Sequence, residues 1–196
     1  MGGPAGCRCG GTRSALANGA CVALCLKATE KMNKTYVPEG ETAPCSQIGL
    51  TLETLAATIA ARRDAGDESY THRLLTSSPD MVLKKVMEES GEVALAAKDV
   101  ESWAVSSLAA AFAYESASDE PRELDELAVD LPEEYQSAVD HLRYEAADVV
   151  YHLLVVLERY GISLDEFAAE LNNRMTADER PEGAIRLKED HVKRGK

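Results

Sequence analysis

An all-α fold is predicted for this chain, and three observations lead to that prediction. Apolar residues recur at helical spacing in several segments, whereas no segment shows the strict alternation of a half-buried strand. Alanine and leucine are plentiful and only 5% of the residues are aromatic, a composition that favours helices over sheets. The 196 residues, 45% of them hydrophobic, suffice for one sizeable core. We therefore expect a helical bundle of about four core helices.

Two of these helices are predicted in the first half of the chain. Residues 50–63 form an amphipathic segment that ends at the polar loop 66–71. Ser78 and Pro79 combine a capping residue with a proline at the first helical position, which is typical of a helix start. The second helix is expected to run from there to about Lys98.

Two further helices follow a segment of different character. Residues 99–140 are interpreted as an acidic, partly helical insertion between the two helices that carry most of the acidic motifs. Residues 141–160 are predicted to be helical up to Gly161, and a capping box that begins at Ser163 opens the last helix. Residues 177–196 lose the helical periodicity and are expected to be a charged, frayed tail.

The charge of the chain argues against nucleic acid as a partner. The formal net charge is −13, whereas binding to a phosphate backbone requires a basic surface. The acidity is concentrated in residues 99–140, which hold twelve acidic residues and the single base Arg122. The excess of negative charge is therefore a property of the insertion and does not describe the rest of the chain.

The first part of the chain is expected to be a disordered leader over residues 1–48, with the helical domain at 49–176. All five cysteines lie in the first 45 residues, but their spacing fits no zinc pattern and no histidine lies nearby. The apolar run 15–26 is too short to span a membrane. We therefore expect no membrane partner and a cytoplasmic location.

Two carboxylate pairs carry the predicted chemistry. Glu89 and Glu92, and likewise Glu145 and Asp148, recur at i, i+3, so each pair projects from one side of its helix. The first pair begins in the middle of an apolar stripe, and the second opens a helix that is apolar nearly all round. Burying unpaired carboxylates costs several kcal/mol or more, so these four residues are predicted to hold a cation. An all-carboxylate set suits Mg²⁺, which proteins usually bind together with substrate phosphates.

Charged neighbours extend the first pair. Glu88 lies about 40° beyond Glu92 on the helical wheel, where it is predicted to act as a general base or to orient a metal ligand. Glu88 and Glu89 are thus the candidate catalytic residues. Lys84 and Lys85 flank the site, and Lys85 is the better placed for a phosphate contact. The alternative is an ordinary solvated helix face with i, i+4 ion pairs, which the apolar setting of the second pair argues against.

Two other residues near the acids have an interpretation of their own. His152 shares a face with Glu145, and it is interpreted as a hydrogen-bonded core residue rather than a ligand. Gly91 costs about 1 kcal/mol relative to alanine inside a helix, which indicates close approach of a ligand or another helix.

Four segments together resemble the phosphoribosyl-ATP pyrophosphatase family, which belongs to the MazG-type all-α nucleotide pyrophosphatases. They are residues 55–62, Ser69-Tyr70-Thr71-x-x-Leu74, Lys84-Lys85-Val-x-Glu88-Glu89-x-x-Glu92 and Glu145-Ala-Ala-Asp148-x-x-Tyr151-His152-Leu153-Leu154. The resemblance covers about residues 50–98 and 141–175. The paired acid motifs are shared by the superfamily, while the Ser-Tyr-Thr, Lys-Lys and Tyr-His-Leu-Leu elements point to the histidine-biosynthesis member.

The resemblance implies an activity, a site and a partner. The reaction is the Mg²⁺-dependent cleavage of phosphoribosyl-ATP to phosphoribosyl-AMP and pyrophosphate, the second step of histidine biosynthesis. Ser69, Tyr70 and Thr71 are implied to help bind the substrate, and family members dimerise, so a homodimer is expected. Two alternatives remain: a house-cleaning pyrophosphatase acting on dUTP or modified nucleotides, and a non-catalytic helical interaction protein that functions through its acidic insertion.

Overall fold

The structure is a computed structural model that describes Tyr36 and residues 46–118 and 129–192. The chain divides into two units, Met1–Ala43 and Pro44–Lys196, and every described residue except Tyr36 belongs to the second unit. The predicted leader, with its cysteines, thus lies almost entirely outside the described residues. So do residues 119–128 of the predicted insertion and 193–196 of the predicted tail.

The described part of the second unit is all-helical and contains no strand, which confirms the predicted fold class. Its five α-helices are α1 (Ile48–Ala61), α2 (Tyr70–Thr76), α3 (Pro79–Ser116), α4 (Glu133–Arg159) and α5 (Leu164–Arg174). Short 3-10 turns lie at Arg62–Asp64 and Glu189–His191. None of the described helices is both long enough and apolar enough to cross a membrane.

The predicted start and stop signals act as helix caps. The Ser78 hydroxyl accepts a hydrogen bond from the backbone N–H of Asp80 at the start of α3. Ser163 and Glu166 form the reciprocal capping box at the start of α5. At the end of α4, Gly161 has a φ of 69°, a left-handed conformation that favours glycine and lets the chain close the helix with a Schellman pair of backbone bonds.

The predicted bounds of the two carboxylate helices are wrong. The helix expected to end near Lys98 continues as α3 to Ser116, and the helix expected to begin near 141 begins at Glu133 as α4. Between 98 and 116 there is no glycine or proline to stop a helix, so α3 continues. The described parts of residues 99–140 therefore mainly extend the two carboxylate helices.

Three smaller expectations also need correction. The polar loop predicted over 66–71 is shorter, because the Ser69 hydroxyl caps α2 and brings the next two residues into that helix. The described tail residues are not simply frayed: the Asn172 amide donates to the Ile185 carbonyl at 2.8 Å, and Arg186 donates to Asn173 at 3.0 Å. A Cβ on Gly91 would meet no atom of the described residues within 4 Å, so no described helix approaches closely there, and the approach of a ligand stays a prediction.

The core lies around the second half of α4. α4 packs along α3 and also contacts α1 and α2. The buried core cluster draws on α1 to α4 and consists of Ile59, Leu74, Leu75, Val82, Leu154, Val155 and Leu157. Arg159 fastens the end of α4 by donating to the backbone carbonyl of Leu74 at 2.8 Å. The carboxylates of α4 therefore lie on a helix whose other half is anchored in the core.

Candidate active site

Three acidic side chains from two helices come together on the α3–α4 pair. Carboxylate oxygens of Glu89 and Glu92, from α3, and Glu145, from α4, all lie within 4.8 Å of one another. Glu89 is 5% exposed and Glu145 is 7% exposed, as their apolar surroundings predicted, whereas Glu92 is exposed to solvent. We call these three residues the carboxylate cluster.

Asp148 lies three residues after Glu145 on α4 and does not belong to this group. Its side chain is partly buried, and its backbone carbonyl oxygen accepts a hydrogen bond from Nδ1 of His152 at 2.9 Å. The Glu145 carboxylate instead contacts His141, whose Nε2 lies 2.9 Å from Oε1. Sequence reasoning missed His141, although its i, i+4 spacing from Glu145 was visible.

Two lysines of α3 form ion pairs with Glu88 and Glu89. Nζ of Lys85 lies 2.9 Å from Oε1 of Glu89 and 3.2 Å from Oε2 of Glu88, and Nζ of Lys84 lies 3.1 Å from Oε1 of Glu88. The bonds from Lys84 and then Lys85 lower the pKa of Glu88, and the bonds to Glu89 and Glu88 raise the pKa of Lys85. A carboxylate held ionised in this way is a weak base, which favours an orienting role for Glu88.

The cluster has an excess of negative charge. The hydrogen bond from Lys85 lowers the pKa of Glu89, whereas a hydrogen bond with Glu89, some loss of solvation and the charges of Glu89 and Glu145 raise the pKa of Glu92. With Glu88 included, four carboxylates lie here against two lysine ammoniums and the His141 imidazole among the residues that the structure describes. Like charges at this spacing repel, and a bound divalent cation would balance them.

The hydroxyls of residues 69–71, which we call the substrate segment, are all engaged with the protein. The Ser69 hydroxyl caps α2, and the Thr71 hydroxyl lies 2.7 Å from that of Tyr151. The Tyr70 hydroxyl lies 3.3 Å from Nε2 of His152, and burial raises the pKa of Tyr70. His152 is 4% exposed and hydrogen-bonded, consistent with its interpretation as a core residue. The segment is thereby held against α4 beside the carboxylate cluster.

An all-α unit with acids at i, i+3 on two packed helices is consistent with the all-α nucleotide pyrophosphohydrolases that the sequence resembles. Comparison with known proteins gives the family within that class. The chain belongs to the phosphoribosyl-ATP pyrophosphohydrolase family, whose sequence model matches residues 52–175. The matched range contains the carboxylate cluster, Asp148, both lysines and the substrate segment.

Individual relatives agree with this assignment. A phosphoribosyl-ATP pyrophosphatase of Paracidovorax citrulli is 32% identical over 148 residues, which cover 74% of this chain and 84% of that protein. One from Dechloromonas aromatica is 30% identical over 124 residues, or 63% of this chain and 81% of that protein. Phosphoribosyl-ATP pyrophosphatase 1 of Rhodopseudomonas palustris is 30% identical over 140 residues, or 71% and 96%. No solved structure matches the chain significantly.

Proposed function

We propose that this chain hydrolyses phosphoribosyl-ATP to phosphoribosyl-AMP and pyrophosphate, the second step of histidine biosynthesis. The observation that carries the proposal is the carboxylate cluster, in which oxygens from two helices lie within 4.8 Å of one another in a member of this family. Water would add across the α–β phosphoanhydride, so that one oxygen–phosphorus bond forms as the bridging one breaks. A triphosphate carries dense negative charge, so cleavage at this site requires that charge to be balanced.

The donor set fits a hard divalent cation, and we propose Mg²⁺. All three cluster members offer carboxylate oxygens, the ligands that Mg²⁺ prefers. Because oxygens of the three side chains already lie within 4.8 Å of one another, the cluster would hold one such ion. When bound, Mg²⁺ neutralises phosphate charge and lowers the pKa of water. Glu89, Glu92 and Glu145 would hold it, and we propose Asp148, one helical turn beyond Glu145, as a further ligand.

The chain's other residues would bind and orient the substrate. We propose that Lys84 and Lys85 contact its phosphates as point charges and that Glu88, ionised between them, keeps both ammoniums in place. Glu89 stays a predicted catalytic residue: because the bond from Lys85 lowers its pKa too, it would orient the attacking water rather than take its proton. The substrate segment would contact the remainder of the nucleotide.

A product assay tests this function against its alternatives. The purified chain is incubated with Mg²⁺ and, in parallel, with phosphoribosyl-ATP, dUTP and ATP, and the products are separated by anion exchange. The proposal expects pyrophosphate and a monophosphate product with phosphoribosyl-ATP far in excess of the other two. Preference for dUTP would indicate a house-cleaning enzyme, and inactivity with all three would favour a non-catalytic protein.

We also propose that two chains form a homodimer through the outer flank of α3. Leu83, Met87, Val105 and Phe112 are exposed and lie within about 40° of one another on the helix, away from Lys85 and Glu92. Such a stripe on a small core is typical of an interface. Equilibrium sedimentation should give twice the monomer mass, and Met87→Glu should shift it towards monomer. A monomeric parent at micromolar concentration would contradict the dimer.

We propose the cytoplasm as the site of action. A triphosphate does not cross a lipid bilayer unaided, so an enzyme that consumes it must be located where its ATP-derived substrate is made. Fractionation of cells producing the tagged chain tests this location.

A further inference from the structure

The mechanism proposed above makes no use of His152, although this side chain is buried between three functional groups. Its Nδ1 lies 2.9 Å from the backbone carbonyl oxygen of Asp148 and 3.8 Å from Oε1 of Glu89. Its Nε2 lies 3.3 Å from the hydroxyl of Tyr70. The imidazole thus lies between α3, which carries Glu89, and the substrate segment at the start of α2.

The directions of these hydrogen bonds follow from chemistry. A carbonyl oxygen can only accept, so Nδ1 of His152 carries a hydrogen and donates it to Asp148. In the neutral ring Nε2 is then an acceptor, and the Tyr70 hydroxyl must be the donor. The backbone of α4 therefore determines both the histidine tautomer and the orientation of the Tyr70 hydroxyl.

The substrate segment depends on such tertiary bonds. α2 has only seven residues, and isolated helices shorter than about 12–15 residues are marginal in water. Side by side, the Tyr70–His152 and Thr71–Tyr151 bonds attach its first turn to two consecutive residues of α4. Without them, the segment would have to be ordered when a ligand binds, which weakens binding.

We propose that Tyr70 and His152 form a positioning pair that sets the substrate segment at a fixed distance from the carboxylate cluster before the nucleotide binds. The inference rests on the proposed function and assigns His152 a role in substrate affinity through Tyr70. It makes His152 a positioning residue, not a metal ligand.

Two substitutions of His152 separate its two nitrogens. Asn places an amide N–H near the Nδ1 position and removes the acceptor at Nε2, whereas Gln places an amide oxygen near the Nε2 position.

Tyr70→Phe and His152→Asn should each raise KM for phosphoribosyl-ATP about three- to tenfold, with kcat and Mn²⁺ affinity within about twofold of the parent. The double variant should be no worse than either single one, and His152→Gln should stay near the parent. Tyr144→Phe, an exposed change on the same helix, is the matched control.

Several results would overturn the pair. Additive KM effects would mean that Tyr70 contacts the substrate without acting through His152. Lower thermal stability with an unchanged KM would mean a purely structural role. An Nε2–H tautomer in the ¹⁵N spectrum of the parent, or an Nε2 shift unmoved by Tyr70→Phe, would exclude the bond even if His152→Asn fails to fold. A parent chain that leaves phosphoribosyl-ATP intact would contradict both the proposed function and the role of the pair in substrate binding. Additive KM effects of the two substitutions in an active parent would contradict only the pair.

Discussion

Replacing Glu145 by glutamine should make the metal-free protein more stable and the enzyme inactive. Two full charges at 4.8 Å, the limit for the cluster oxygens, repel by about 3.5 kcal/mol at an effective dielectric constant of about 20. Lys85 already compensates part of the charge on Glu89, so we expect a net gain of roughly 1–2 kcal/mol in the free energy of unfolding. Glutamine keeps the shape and still offers an acceptor oxygen to His141, whose Nε2 lies 2.9 Å from Oε1 of Glu145.

Urea unfolding in EDTA and in saturating Mn²⁺ measures both sides of this prediction. In EDTA the Glu145→Gln variant should be the more stable protein, whereas Mn²⁺ should stabilise the parent and not the variant, because a ligand stabilises only a protein that binds it. Hydrolysis should fall at least about 100-fold. Glu53→Gln, which removes an exposed acid of α1 outside the cluster, controls for the loss of one charge. A variant that is less stable in EDTA, or equally stabilised by Mn²⁺, would refute the reasoning.

Three further changes test separate features of the molecule. Lys85→Met removes an ammonium that competes with a cation for Glu89. Calorimetry without nucleotide should therefore show Mn²⁺ binding that is about tenfold tighter, while KM for the nucleotide rises. Weaker Mn²⁺ binding would contradict that competition. Gly91→Ala should add about 1 kcal/mol to the free energy of unfolding with activity retained, since a Cβ there meets no atom within 4 Å; loss of activity would reveal a ligand that approaches the helix. Bonds from the Ser163 backbone and hydroxyl lower the pKa of Glu166 in the folded state, so its contribution is present above the unfolded pKa and is lost as the pH falls through the folded one. The stability difference between the parent and Glu166→Gln should accordingly be largest near neutral pH and vanish in acid, and a difference independent of pH would exclude the ionised cap.

The burial of Glu89 and Glu145 was predictable because it depends only on periodicity along one helix. The sequence could not predict which acids meet across the α3–α4 pair, because the meeting depends on the rotation of each helix about its own axis relative to the other. The sequence pattern offered Asp148 as an equal partner, whereas the structure brings Glu145 into the cluster with His141 beside it. No sequence pattern could indicate the bond between Tyr70 and His152, since these residues are 82 positions apart.

The extent of α3 shows a different limit. Stop signals are read from glycine, proline and capping residues, and their absence after Lys98 was a better guide than the change towards acidic composition. The short α2 was missed because a seven-residue helix has too few turns to show periodicity. Only its capping residue, Ser69, marks it in the sequence.

α4 contributes to the site and to the core along one continuous helix. Glu145 lies in the carboxylate cluster, His152 holds the substrate segment, and Leu154 and Leu157 are buried in the core. Inserting or deleting one residue between Glu145 and Leu157 would turn one half of the helix by about 100° relative to the other. Either the acid would leave the cluster or the leucines would leave the core. The register of this helix thus links the active site to the fold, so that a change of length within it disrupts at least one of the two.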